Sequence, residues 1–237
     1  MARNEDVVVI TGASSGIGAA LARRLGGEKR RLVLAARRGD LLRQVAREAE
    51  EGGAVHAAVV EADVTRRADV ERLRDAALAT FGRLDAWINN AGRGIARPVL
   101  ELTDEDVDEM IALNLKSALY GMQAALPHFL SRGSGHLVNV SSFLGRVPLV
   151  SIRSVYSAAK AALNSLSASL RMDLAAKYPA VHVSVVMPGL VGTDFARNAK
   201  GAPPPGPATP RGMGSPQMQP QTAEEVAEAI AGLLHHP

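Results

Sequence analysis

The sequence predicts an α/β fold, a single doubly wound domain whose parallel sheet is flanked by helices on both faces. Three observations predict it. Short apolar runs, of which Val7-Val8-Val9-Ile10 is uniformly β-branched, alternate along the chain with longer helical patterns. A glycine-rich turn joins the first run to the first helix. Small and polar residues (Asn89-Asn90-Ala91-Gly92, Ser141-Ser142, Pro188-Gly189) stand just past later runs, at the strand carboxyl ends where ligands bind in such sheets. The chain has 237 residues, 47% hydrophobic and 22% charged, enough for one large core over residues 1–237.

Taken in order, the first strand feeds Thr11-Gly12-Ala13-Ser14-Ser15-Gly16-Ile17-Gly18, and residues 19–25 read as a helix. Glycines at this spacing let the backbone turn tightly and approach a pyrophosphate, whose charge would sit over the unpaired N–H groups of the helix start. A second strand, 31–36, ends in Arg37-Arg38. In dinucleotide sites an acid at this place holds the ribose 2′-hydroxyl of NAD, whereas an arginine takes the 2′-phosphate of NADP. Both residues here are basic, and Asp40 suits a cap for the helix 41–51, so NADP is the cofactor expected, ahead of NAD. Residues 55–61 form the third strand. Asp63-Val64 after it would reach an adenine amino group, or Asp63 would cap a turn.

A helix over 69–81 leads to the fourth strand, 86–88, and to Asn90, Ala91 and Gly92, placed for a ribose. Thr103 and the acidic residues after it open a long helix to about residue 131, with Asn114, a mediocre helix former, inside it. The fifth strand, 136–140, delivers Ser142. The next helix carries Tyr156 and Lys160 to about residue 177, and the sixth strand, 181–187, ends in Pro188-Gly189. Residues 196–221 are rich in Pro, Gly, Met and Gln and read as a mobile lid over the site. Thr222 and Glu225 stand at capping-box spacing for a last helix, 222–234.

Composition excludes several functions. There is no cysteine, hence no disulfide, thiolate metal site or thiol nucleophile, and no metal is expected. The 27 basic residues are spread along the chain and aromatic content is 3%, which argues against a nucleic-acid partner. No apolar run reaches membrane-spanning length, so the expectation is a cytoplasmic protein acting on a small molecule.

Tyr156 and Lys160 are four residues apart and share one helix face. A cation beside a phenol favours the phenolate, which would bring this proton donor and acceptor towards neutrality, as interconversion of a carbonyl and an alcohol requires. Together with Thr11-Gly12-x-x-x-Gly16-x-Gly18, Asn89-Asn90-Ala91-Gly92, Asn114, Ser142 and Pro188-Gly189, in this order, the chain resembles the short-chain dehydrogenase/reductase family over about residues 5–195.

The resemblance implies a Rossmann-type fold of six strands, or seven with a further edge strand. It implies Tyr156 as general acid/base, with Lys160 lowering the phenol pKa and holding the nicotinamide ribose. Ser142 would hold the substrate oxygen, and Asn114 a water of a proton relay. Gly12, Ser14, Ser15, Gly16, Ile17 and Gly18 would wrap the pyrophosphate, with Arg37 and Arg38 at the 2′-phosphate and Asp63 and Val64 at the adenine. Asn90, Ala91 and Gly92 would meet the adenosine ribose side, and Pro188, Gly189, Val191 and Thr193 the nicotinamide. Two departures stand out. Ser142 lies fourteen positions before Tyr156, one more than the family pattern, so the strict register falls on Phe143. The chain also stops after the last helix, which favours a homodimer through the long helices over the family's homotetramer. A catalytically silent NADP-binding regulator on the same fold is the alternative reading.

Overall fold

The computed structural model describes residues 6–202 and 219–236. The β-branched run becomes β1 (Val7–Thr11), buried at all five positions. Helix α1 (Gly16–Gly26), β2 (Arg31–Ala36), α2 (Gly39–Glu51), β3 (His56–Glu61), α3 (Arg67–Phe81) and β4 (Ala86–Asn89) follow in strict alternation. Then come α4 (Asp104–Ile111), α5 (Ser117–Arg132), β5 (Gly135–Val140), α6 (Ser154–Ala175), β6 (Val181–Val186) and α7 (Ala223–His235).

The strands pair in the order β3-β2-β1-β4-β5-β6, parallel throughout. Among the described residues the sheet has six strands, the smaller of the two numbers expected. Period-two alternation divides its side chains: Val8, Ile10, Leu32 and Ile88 face α1, α2 and α7, whereas Val7, Val9, Val33 and Trp87 face α3, α5 and α6. The connection from β3 to β4 crosses β1, so the strand order reverses between β1 and β4. A crevice opens at that point outside the strand carboxyl ends.

Two local expectations are corrected. Helix α2 starts at Gly39, so Asp40 does not cap it; Asp40 lies in the first turn and pairs with Arg43 at 2.7 Å. The long helix opening at Thr103 has its capping box, with Asp106 as the partner, but is interrupted by a π-helical turn over Ala112–Lys116. Such a bulge re-aims side chains inside an otherwise regular helix. Of the expected lid, residues 203–218 lie outside the described residues.

Beneath α6 runs a buried polar chain. Trp87 Nε1 donates to Asn89 Oδ1 (2.7 Å), and Asn89 Nδ2 to Ala118 O (3.2 Å) and Asn139 Oδ1 (2.9 Å). Asn139 Nδ2 donates to Ser167 Oγ (2.9 Å), whose hydroxyl donates to Leu163 O (2.7 Å). These bonds tie β4, β5, α5 and α6 in one register and so fix where α6 presents its side chains. Asn139→Ala is expected to lower unfolding free energy by about 2–4 kcal/mol, because it leaves buried donors and acceptors unpaired. Urea denaturation of the two proteins checks it, and a loss under about 0.5 kcal/mol would contradict it.

Candidate active site

The turn between β1 and α1 requires its glycines. Gly12 has φ +68°, and a Cβ there would lie 2.8 Å from Ala91 Cα; a Cβ on Gly18 would lie 2.5 Å from Gly12 O. The turn after β4 is laced to it. Thr11 Oγ1 accepts from Asn90 N (3.0 Å) and Ala91 N (3.1 Å), and Asn90 Nδ2 donates to Thr11 O (2.9 Å) and Gly12 O (3.3 Å). Helix α1 begins beyond Ser15 with no side-chain cap and no acid in its first turn, so its N–H groups remain available at the edge of this cradle. Closely approachable backbone, free helix-start N–H groups and a nearby cation fit a dinucleotide pyrophosphate.

The cation is Arg38. Its Nη2 donates to Ser14 Oγ (3.1 Å) and Ser15 Oγ (2.6 Å), so it leans over the glycine turn; both it and Arg37 are exposed. Glu61, against Gly39 at the end of β3, is held by Arg43 at 2.6 Å. Asp63 Oδ1 accepts from Thr65 N (3.0 Å) and Thr65 Oγ1 (2.7 Å), the turn-capping arrangement; Val64 is buried.

At the other end of the crevice, Tyr156 is 5% exposed and its phenol lies close enough to Ser142 for the hydroxyl to act on it. The longer spacing therefore still brings Ser142 to the tyrosine. Phe143 is the exposed start of a 3₁₀ turn that Ser142 caps, its Oγ accepting from Leu144 N at 3.2 Å. Lys160 Nζ sits 5.8 Å from the Tyr156 ring centroid and donates to Val140 O (2.9 Å). Asn114, carried by the π turn, accepts from Arg93 N at Oδ1 (3.2 Å) and donates to Arg93 O (3.0 Å) and Met110 O (3.1 Å). A Cβ on Gly92 would lie 2.9 Å from Asn114 Oδ1 and 3.6 Å from Lys160 Nζ, so these two polar groups flank the same glycine.

The electrostatics differ from the simple pairing expected. Burial raises the Tyr156 pKa above the usual phenol value, opposed by the Ser142 hydroxyl and the charge of Arg153. Burial also lowers the Lys160 ammonium to about 8. Desolvation prevails because the ammonium is directed at a backbone carbonyl and does not touch the phenol oxygen. In this state the phenol is a proton donor at neutral pH.

The chain beyond β6 closes one wall. Gly189 N donates to Gln221 Oε1 (3.1 Å), Val191 is bridged to Gln221, and Thr193 Cγ2 lies 3.5 Å from where a Gly16 Cβ would be. Pro188 and Thr193 thus border the same crevice as the glycine turn, with Pro188 O accepting from Phe143 N (2.9 Å). Phe195 meets Tyr156 edge-on, with ring centroids 5.4 Å apart. Farther on, Lys200 pairs with Asp106 (2.9 Å) and Glu109 (2.7 Å). Gln221 and the Thr11 hydroxyl escape sequence reasoning as site residues. Thr11 at least stood within the glycine motif, but nothing local marks Gln221.

A family profile described as short chain dehydrogenase matches residues 6–203. The chain belongs to this family. An oxidoreductase of Bacillus subtilis, YxnA, named as uncharacterized, is 38% identical over 235 residues, covering 98% of this chain and 64% of that relative. The chain therefore spans less than two thirds of that relative's length. An alcohol dehydrogenase of the archaeon Thermococcus sibiricus, complexed with 5-hydroxy-NADP, superposes with a TM-score of 0.83 at 30% identity, covering 98% of this chain and 92% of that one. A short-chain dehydrogenase/reductase of Burkholderia phymatum, in complex with NAD, gives 0.85 at 28% identity, over 98% and 88%. The neighbours thus carry either nicotinamide dinucleotide. Among the described residues no helix is long and apolar enough to cross a membrane.

Proposed function

We propose that the protein is an NADP(H)-dependent oxidoreductase that interconverts a carbonyl compound and its alcohol, with Tyr156 as general acid/base. The observation that carries this is the buried phenol, beside Ser142 and one turn from Lys160, at the end of a crevice whose other end is a phosphate cradle. When bound, the reduced nicotinamide supplies hydride to the carbonyl carbon. Ser142 and Tyr156 hold the carbonyl oxygen by donating hydrogen bonds, and the Tyr156 hydroxyl gives up its proton as the oxygen gains charge. The buried Lys160 ammonium stabilises the resulting phenolate and presents its remaining donors to the ribose. Asn114 holds the loop at Arg93 beside Lys160, where a water would return the proton. Phe195, Gly92 and the residues after Pro188 exclude bulk water from the exchange. Incubation with the reduced cofactor and a panel of ketones and aldehydes, followed by the near-ultraviolet absorbance of the reduced nicotinamide, tests the reading. Absorbance that stays constant with every class of carbonyl compound would reject it.

Preference for NADP over NAD rests on Arg38, supported by Arg37. A 2′-phosphate would draw the guanidinium from the Ser14 and Ser15 hydroxyls into a charge-assisted contact. The Arg38→Ala protein is expected to raise KM for NADPH by about 10–100-fold, with KM for NADH changed little. Equal changes for both cofactors would remove Arg38 from this role. We also read the protein as a cytoplasmic homodimer or homotetramer, a reading supported by Leu166 and Met172, which stand exposed on α6.

A further inference from the structure

Arg153 immediately precedes α6, three residues ahead of Tyr156. Its guanidinium is half-buried, and its Nη1 donates to Ile95 O at 2.7 Å. Among the described residues that carbonyl is its one hydrogen-bond acceptor, and no carboxylate pairs with it. The neighbouring arginines differ: Arg93 pairs with Glu109 (3.0 Å) and Arg97 with Asp106 (2.7 Å). Those two acids also take Lys200, which leaves neither for Arg153. Residues 203–218 contain no Asp or Glu. The other guanidinium N–H groups of Arg153 have no protein acceptor among the described residues and are open to a ligand.

The guanidinium lies beside Gly94 and close enough to Tyr156 for its charge to act on the phenol. A Cβ on Gly94 would lie 2.7 Å from Arg153 Nη1 and 2.9 Å from Phe195 Cε1, and Phe195 in turn lies edge-on to Tyr156. Cation, aromatic ring and phenol therefore lie side by side, with Phe195 between Gly94 and Tyr156. The charge of Arg153 is felt at the phenol, and burial weakens the hold of Arg153 on its own proton. With Lys160, the crevice carries two cations at this end and no free carboxylate among the described residues. A partly buried cation in that position favours an anion brought by the ligand. A planar fork with several donors in hand matches a carboxylate. Val147, Leu149, Val150 and Ile152, on the loop leading to Arg153, are exposed apolar residues suited to a hydrocarbon skeleton.

We propose that Arg153 anchors a carboxylate on the substrate, so that the substrates are aliphatic oxo acids and the corresponding hydroxy acids. This rests on the oxidoreductase reading for its chemistry, but its binding claim is separable. Straight-chain oxo acids and their methyl esters, compared by kcat/KM with NADPH, should favour the acid about 10–100-fold, with the difference in KM. Arg153→Gln should remove that preference by raising KM for the acids far more than for the esters, any change in kcat through the phenol being shared by acid and ester alike, and Arg153→Lys should restore part of the preference. Calorimetry on the NADPH-loaded protein with the hydroxy acids and their methyl esters, which cannot react in that complex, should show the same preference as a ratio of dissociation constants. Acid and ester treated alike by the unsubstituted protein would overturn the proposal, as would an Arg153→Gln protein that weakens both equally. Should no carbonyl compound be turned over while the acids still bind selectively through Arg153, the anchor stands and the oxidoreductase reading falls.

Discussion

Tyr156→Phe is expected to lower kcat by about 10²–10⁴-fold, the usual contribution of a positioned general acid, with the dissociation constant for NADPH unchanged. The substitution removes one oxygen and keeps the ring. Phe195 would still pack edge-on against it, and Ser142 would still cap its 3₁₀ turn through Leu144 N. Initial rates and quenching of bound NADPH fluorescence check the two halves, and a kcat within tenfold of the parent would show that another group delivers the proton. The parent enzyme's pH profile follows from the direction in which burial moves the phenol. With the pKa raised, the phenol is protonated throughout the neutral range. Carbonyl reduction should therefore hold a plateau through neutral pH and fall only in the alkaline range, whereas alcohol oxidation, which needs the phenolate, should rise with pH.

Lys160→Met is expected to abolish turnover and yet stabilise the fold at pH 7 by about 1–3 kcal/mol, since every tenfold loss of proton affinity on folding costs about 1.4 kcal/mol. The native ammonium is 3% exposed and titrates near 8, against 10.5 when unperturbed. Below pH 8 both native and unfolded chains carry the proton, and the native state bears the whole cost of burying it. Between about pH 8 and 10.5 the native lysine has lost its proton and the unfolded one has not, so the cost is relieved as pH rises. The advantage of Lys160→Met should accordingly be largest at neutral pH and should shrink over that interval. Part of it is offset by the Val140 carbonyl, which loses its donor. Denaturant unfolding of both proteins at pH 7 and pH 10 measures the difference, and a destabilised Lys160→Met protein at pH 7 would show that the ammonium is not held against its solvation preference.

Most of the sheet was legible because strands buried on both faces must be apolar throughout, and Val7 to Ile10 or Leu32 to Ala36 could hardly be anything else. The phosphate cradle was legible for the opposite reason: Gly12 and Gly18 are required by close backbone contacts that any added carbon would occupy. What escaped depends on distant chain. Helix periodicity carries no sign of the π turn, because Ala112–Lys116 has the composition of an ordinary helix, so Asn114 showed only as a weak helix former in an odd place. Arg37 and Arg38 are indistinguishable in sequence, and only the path of the chain into α2 aims the second at Ser14. Nothing local in the sequence marks Arg153, which only the loop after β4 brings against Gly94 and Ile95. The phenol moved the other way from expectation because sequence spacing gives the Tyr156 to Lys160 proximity and says nothing of how deeply both are buried.

Helix α7 lies over α1: Val226, Ala227, Ile230 and Ala231 join Leu21 and Leu25 in one core, and Arg24 and Glu28 reach Glu228 and His235 across some two hundred residues of sequence. A ribosome therefore leaves the flank of the nucleotide-binding turn's own helix bare until α7 has emerged, and the nascent protein carries an uncovered greasy stripe through all the synthesis in between. Completion of the fold is in this sense a zipper fastened last at its first tooth, and translation broken off before α7 would leave a sticky fragment prone to association, not a smaller working domain.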